Sequence, residues 1–428
     1  MKGVILQGHV DMVPQKNADT VHDFLKDPIQ TWIDGEWVKA KGTTLGADNG
    51  LGLAMAMAVL ESKDIKHGPI ELLCTIDEET GMTGAMALKP GVLQGEILIN
   101  LDSETEGELY VGCAGGLDAS ATATYVPAEA PEAHECWSLT EKGFKGGHSG
   151  MDIILCRGNA NKIAARVLYA LMTKADVKLL DLEGGTLRNA IPREAFATVY
   201  VPEAKVAEAQ KVFAEVSAAI KAEYAGTAPD SEFIFKPYEC AEGECCCHGD
   251  ECKYVPEADA LRFVRAILAC PDGVERMSSE MPGLVETSNN LAMVKIEAGE
   301  GSVKTLMRSS VDTAKDALAQ KFEAVFSLAG IETSFAGGYS GWAPNPDSAI
   351  LATMKKVYND LYGKEPAVMA IHAGLECGIL SGAYPHWDMV SCGPTLMSPH
   401  SPDERANIPS VAKCWEFLKA VLENIPTK

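Results

Sequence analysis

The sequence predicts an α/β protein in two parts: a mixed sheet flanked by helices, interrupted by an inserted α+β domain. Three observations predict it. Short apolar runs alternate with helical stretches early in the chain, the texture changes near Gly115, and the first texture returns after a Gly-rich stretch at 337–342. Strands separated by helices are the pattern of a layered α/β sheet. The boundaries read as 1–115 and 340–428 for the discontinuous α/β part and 116–339 for the insertion.

Each element has its own signal. Val4-Ile5-Leu6 reads as a buried strand almost at the first residue. Trp32 to Val38 reads as a hairpin turned at Asp34-Gly35. Leu51 to Leu60, rich in Ala, Met and Leu, reads as a buried helix. Ile70 to Ile76 and Ile97 to Asn100 are apolar runs rather than alternations, as in strands covered on both faces. Beyond Gly115, Ala119 to Val126 alternates like a half-exposed antiparallel strand. Ile163, Val167, Leu168 and Leu171 mark one helix face, and Val206 to Tyr224 and Ala314 to Leu328 are two further helical stretches. After Gly337-Gly338-Tyr339-Ser340-Gly341-Trp342 come a helix near Ile350 to Tyr362 and strands near Ala367 to Ala370 and Met389 to Ser391. The last helix sets Val411, Cys414, Trp415, Leu418, Val421 and Leu422 on one face.

Charge and composition exclude several function classes. A net charge of -23 on 428 residues repels nucleic acid and anionic membranes, and it suits a small substrate and bound cations. No apolar run is long enough for a bilayer span, and the start is too short for a signal peptide. Thirteen cysteines, an odd number, read as reduced thiols of a cytoplasmic protein.

Candidate chemistry collects where strands end. His9 and Asp11 lie two apart after the first strand, so they share a face, and a carboxylate beside a histidine can fix its ring for a metal. Asp48 opens the Ala-rich helix, where an N-cap is the simpler reading. Asp77-Glu78-Glu79 follows the second apolar strand and Asp102 the third. His400 sits in a Pro-flanked loop after another strand. Taken singly, each has a plain reading as a surface pair, a cap or a charged loop. Together they make two histidines and three carboxylates at one sheet edge, the ligand set of a paired-metal hydrolase with one carboxylate bridging.

The strings LQGHVDMVPQ, GTTLGADNG, EETGM, LINLDSE, GCAGG, KGGHSG, GGTLRNAIPREAFA, HAGLECG and GPTLMSPHSPDE resemble the bacterial aminoacyl-histidine dipeptidases of the di-zinc aminopeptidase, dipeptidase and deacylase superfamily. The resemblance runs along the chain except near 225–256. It implies a zinc-peptidase-like catalytic domain with an inserted lid domain. His9 and Asp102 would bind one Zn2+, Glu79 and His400 a second, and Asp48 both, across a cis Asp48–Asn49 peptide. Co2+ or Mn2+ would suit the same donors. Asp11 would clamp the ring of His9, and Glu78 would be general base and then acid. His148 would steady the reacting carbonyl, Asn189 and Arg308 would contact substrate, the Arg at its carboxylate, and His372 would line the pocket. The implied substrates are unblocked dipeptides, including Xaa-His, and the implied assembly is a homodimer. Rival readings are a related deacylase or tripeptidase, against which GGTLRNAIP and HAGLECG speak, and an inactive truncated metal-binding protein, against which Glu78 speaks.

The sequence departs from that family twice. The family has a further helical and strand segment ahead of the first His motif, so sheet and core are expected to be exposed there. Cys240, Cys245, Cys246, Cys247, His248 and Cys252 form a cluster foreign to the family. Three adjacent cysteines cannot easily face one ion, so the cluster reads as a variable, exposed lid loop ahead of a third metal site.

Overall fold

The computed structural model describes residues 1–239 and 253–427, so the Cys240 to Cys252 cluster lies outside the described residues. The chain divides into two compact units, Met1–Ala114 with Ser340–Lys428, and Gly115–Tyr339.

The first unit is built on a six-stranded mixed sheet in the order Ala367–Ile371, Glu108–Cys113, Asp388–Ser391, Ile97–Asn100, Val4–His9, Ile70–Thr75. Val4–His9 is parallel to both Ile70–Thr75 and Ile97–Asn100, and Asp388–Ser391 is parallel to Ile97–Asn100. Four strands therefore end at one edge. Val4, Ile5, Leu6, Ile97, Leu98 and Ile99 are all buried, as their unbroken apolar runs require. Ile70–Thr75 departs from that reading. It closes the sheet on one side and is only half-buried, because an edge strand has one neighbour to cover it. The Ala-rich helix spans Ala47–Glu61, but Asp48 and Asn49 inside it are not helical, and Met57 and Leu60 are exposed. The hairpin pairs Thr31–Asp34 with Trp37–Ala40 and joins Arg405–Asn407 and Leu396–Met397 in a small second sheet. The closing helix, Ile408–Glu423, buries Cys414, Leu418, Val421 and Leu422.

The inserted unit holds a nine-stranded antiparallel sheet. Two of its long strands, Val285–Glu297 and Glu300–Ser309, form a hairpin with no separate strand signals in the sequence. Gly115–Thr124 lies beside Glu300–Ser309, with alternating burial over Ala119 to Ala123. Ala160–Ala175 buries Ile163, Val167, Leu168 and Leu171 in one core with Trp137, Leu139, Phe263, Phe322 and Phe326.

Candidate metal centre

The shared edge of the four parallel strands carries the predicted chemistry. His9 ends Val4–His9, Asp77 to Glu79 follow Ile70–Thr75, Asp102 follows Ile97–Asn100, and His400 stands in the loop after Asp388–Ser391. Open α/β sheets gather function at such carboxyl ends. The structure brings His9 and His400, far apart in sequence, to one carboxylate. Asp48 Oδ1 lies 3.1 Å from His9 Nε2, and Asp48 Oδ2 lies 3.1 Å from His400 Nε2. Asp102 Oδ1 is 3.3 Å from His9 Nε2, and Glu79 Oε2 is 3.0 Å from His400 Nε2. Each oxygen of Asp48 thus faces its own histidine–carboxylate pair. The Asp48–Asn49 peptide is cis.

Asp11 is split between two tasks. Its main-chain oxygen is 3.0 Å from His9 Nδ1, while its carboxylate lies 3.5 Å from that nitrogen. The carboxylate instead accepts from Glu78 N and Glu79 N, both at 3.1 Å, and so fixes the turn that aims both glutamates.

The electrostatics show how crowded the negative charge is. Burial works against a charged His9, yet Asp102 and Asp48 outweigh it and push its pKa up to about 12. Asp48 and Glu79 push His400 up to about 10. Burial opposes ionisation of Asp48, but the two histidines hold it well below the usual carboxylate range. Burial, then the charge of Asp102, pushes Glu78 up to about 8. Burial also raises Glu104 to about 7, with Asp48 and Asp102 adding to it. The protons favoured on the two histidines are what a bound cation would displace, since metal binding releases protons from its ligands. Glu79 Oε1 is buried with no hydrogen-bond partner among the described residues, and imidazole with carboxylate is a donor set that zinc accepts. One ligand atom from each of His9, Asp48 and Glu79 lies within 4.8 Å of the others, so the residues present fit a metal ion.

A profile of peptidase family M20/M25/M40 matches residues 5–424. The chain belongs to this family. It is 44% identical over 427 residues to the cytosol non-specific dipeptidase of Escherichia coli (strain K12), covering 100% of this chain and 86% of the relative. The crystal structure of aminoacylhistidine dipeptidase from Vibrio alginolyticus superposes with a TM-score of 0.93 at 48% identity, covering 100% of this chain and 85% of the other. The aminopeptidase PepT structure from Bacillus cereus shares the fold, with a TM-score of 0.51 at 16% identity over 99% of this chain and 80% of the other.

In this peptidase the inserted unit gathers a second set of predicted residues. His148 Nδ1 accepts from Gly150 N at 3.2 Å and Met151 N at 3.0 Å, which leaves the proton on Nε2. Burial and the charge of Arg308 lower the pKa of His148, so its neutral ring is favoured. Arg308 is buried, with Ser149 Oγ at 3.4 Å from Nε and the Tyr339 hydroxyl at 3.5 Å from Nη1, and it forms no ion pair among the described residues. Asn189 joins them through its carbonyl, which accepts from Ser149 N at 2.8 Å. His372 is buried after Ala367–Ile371, a strand that runs against the four parallel ones, and none of the contacts above involves it.

Sequence reasoning missed two buried carboxylates. Glu376 Oε2 accepts from Gln7 Nε2 at 2.6 Å and Thr75 Oγ1 at 2.7 Å, and Gln7 Oε1 accepts from Asn100 Nδ2 at 2.5 Å. This polar run ties together the strands Val4–His9, Ile70–Thr75 and Ile97–Asn100. Its signal lies in HAGLECG, beside the histidine. Glu404 accepts from the backbone at 45–48 and had been read only as part of the His400 loop.

Proposed function

We propose that this chain is a zinc-dependent dipeptidase that hydrolyses Xaa-His and other unblocked dipeptides in the cytoplasm. The observation that carries the metal reading is Asp48, whose two oxygens each stand 3.1 Å from a different histidine. His9 and Asp102 would hold one Zn2+, Glu79 and His400 the other, and Asp48 both. Co2+ or Mn2+ would fit the same donors. When bound, paired metals polarise a carbonyl and bring the pKa of water to about 7. Glu78 takes the proton of the attacking water and passes it to the leaving amine. Asp11 keeps Glu78 and the ring of His9 in place. In the inserted unit, which acts as a lid, His148 offers Nε2–H to the carbonyl oxygen as it gains charge. Arg308, with no carboxylate of its own among the described residues, takes the substrate's carboxylate through two parallel hydrogen bonds. Asn189 and His372 complete the substrate contacts, and the working form is a homodimer.

The names of the two similar dipeptidases support this substrate class, and the described cysteines, all free thiols, suit the cytoplasm. Among the described residues no helix is long and apolar enough to cross a membrane. The close grouping of His9, Asp48 and Glu79 favours a second reading with a single ion. Metal content and turnover measured on one purified sample test both. Two zinc per chain with cleavage of free dipeptides is expected. One per chain favours the single-ion reading, and cleavage of acylated amino acids or tripeptides alone overturns the dipeptidase.

A further inference from the structure

We infer that Glu404 is a positioning residue for Asp48, holding the backbone that aims its carboxylate; this rests on the metal reading proposed above. Glu404 is only 2% exposed. Its Oε2 accepts from Leu45 N at 2.7 Å and Gly46 N at 3.0 Å, and its Oε1 from Ala47 N at 2.8 Å and Asp48 N at 3.3 Å. Four successive amides therefore converge on one carboxylate.

The local sequence explains why the anchor comes from so far away. The first amides of a helix have no partner inside it, and a nearby Ser, Thr, Asp or Asn side chain normally takes them. Here the N-cap is Gly46, which has no side chain to offer and adopts φ 72°. That left-handed turn suits glycine and lets successive amides point the same way, making a concave anion seat. The seat is filled by a carboxylate more than 350 residues later in the chain.

Two ligand loops are joined by this arrangement. Glu404 stands four positions after His400, and its own amide donates to Ser401 O at 3.0 Å. One short loop thus supplies a histidine to Asp48 Oδ2 and the anchor for the backbone of Asp48. Because Asp48 must present separate oxygens to separate histidines, a small rotation of the 45–48 backbone misaims both. Glu404 makes none of the His9, Asp102, Glu79 or His400 contacts itself; it acts through Asp48.

The test is Glu404→Gln, with Asp403→Asn as control. The amide of Gln can serve one pair of N–H groups, but its NH2 then faces the other pair. Asp403 is exposed and its substitution removes the same charge one residue away. In metal-free protein, Glu404→Gln should speed hydrogen exchange at residues 45–48 relative to the rest of the first unit. Titration with Zn2+ should show affinity lower by about 10–100-fold, the range for groups that orient ligands. The visible spectrum of the Co2+-loaded form should change, and kcat should fall more than KM rises. Asp403→Asn should match wild type in every reading. If Glu404→Gln does not fold, Glu404→Asp carries the same readings, since it keeps the charge and shortens the reach. Wild-type exchange, titration and spectrum in the folded variant overturn the inference, as does a control that reproduces its effects. A wild type that takes up no metal overturns the metal reading instead, while exchange at 45–48 still reads the anchor.

Discussion

At the scale of single residues, Asp11 holds the backbone of two adjacent glutamates that face different surroundings. Glu79 points an oxygen at His400, whereas Glu78 has no ion pair in the cluster. Glu78→Ala should therefore retain metal and lose about 10²–10⁴-fold in turnover. Glu79→Ala should bind one metal more weakly. Metal analysis beside kcat on both variants checks this, and an active Glu78→Ala would show the roles to be misassigned. Burial and the charge of Arg308 favour a neutral His148 ring, and if it offers Nε2–H to the carbonyl as proposed, that contact should strengthen as the carbonyl becomes an oxyanion. His148→Ala should lower kcat more than it raises KM. Arg308 is buried and forms no ion pair among the described residues, so amidated dipeptides should be poor substrates of the wild type. Comparable kcat/KM for free and amidated forms of one dipeptide would remove the carboxylate anchor.

Elements are held in place by close approach and by what they bury. A Cβ on Gly393 would stand 1.7 Å from the carbonyl oxygen of Ser103, so this glycine lets the His400 loop leave its strand against the Asp102 loop. Gly393→Ala should cost about 1–3 kcal/mol, as overpacking does, and should lower metal affinity through the displaced loop. Denaturant unfolding and a Zn2+ titration read the two effects. In the inserted unit, Glu141 lies fully buried on His134–Lys142, and neither oxygen is hydrogen-bonded among the described residues. Burial raises its pKa well above the usual glutamate value, with Arg166 pulling the other way. The native state keeps a proton that the unfolded chain gives up at ordinary glutamate pH. Its effect on stability is therefore absent below that pH, and stability falls as pH rises from there toward the native pKa. Glu141→Gln should flatten this slope, raising the melting temperature more at pH 8 than at pH 4.5. Equal shifts at both would show that Glu141 is ionised in the fold.

For the whole molecule, the two units should answer metal differently. The cluster draws all its residues from Met1–Ala114 and Ser340–Lys428. A ligand that binds only the native state stabilises it by RT ln(1 + [L]/Kd), about 2.7 kcal/mol at a hundredfold excess over Kd. Stripping the metal with a chelator should raise hydrogen exchange in that unit and leave the core of Gly115–Tyr339 protected. A uniform loss of protection across both units would contradict this.

Much of this protein was legible in its sequence. Val4-Ile5-Leu6 and Ile97 to Asn100 are apolar without alternation because both faces of the sheet are covered, and that pattern needs no partner to be read. His9, Asp48, the Asp77 to Glu79 run, Asp102 and His400 drew notice as candidates because they lie at strand ends or a helix start, while the resemblance alone singled out Glu79 from its neighbours. The long hairpin at 285–309 could not, because Glu286 to Asn290 is a run of polar residues that tertiary packing buries. The half-exposed edge position of Ile70–Thr75 also depends on which strand lies beside it, which is a fact of the sheet. The sequence by itself determined the residue types, the local elements and the set of ionisable groups, since periodicity and turn chemistry act over a few residues. Only the tertiary structure decided that Asp48 faces two histidines, one 39 and the other 352 residues away, and that Glu404 holds the Asp48 backbone. Those pairings depend on strand order and on loop closure across nearly the whole chain, and no local pattern encodes such distances.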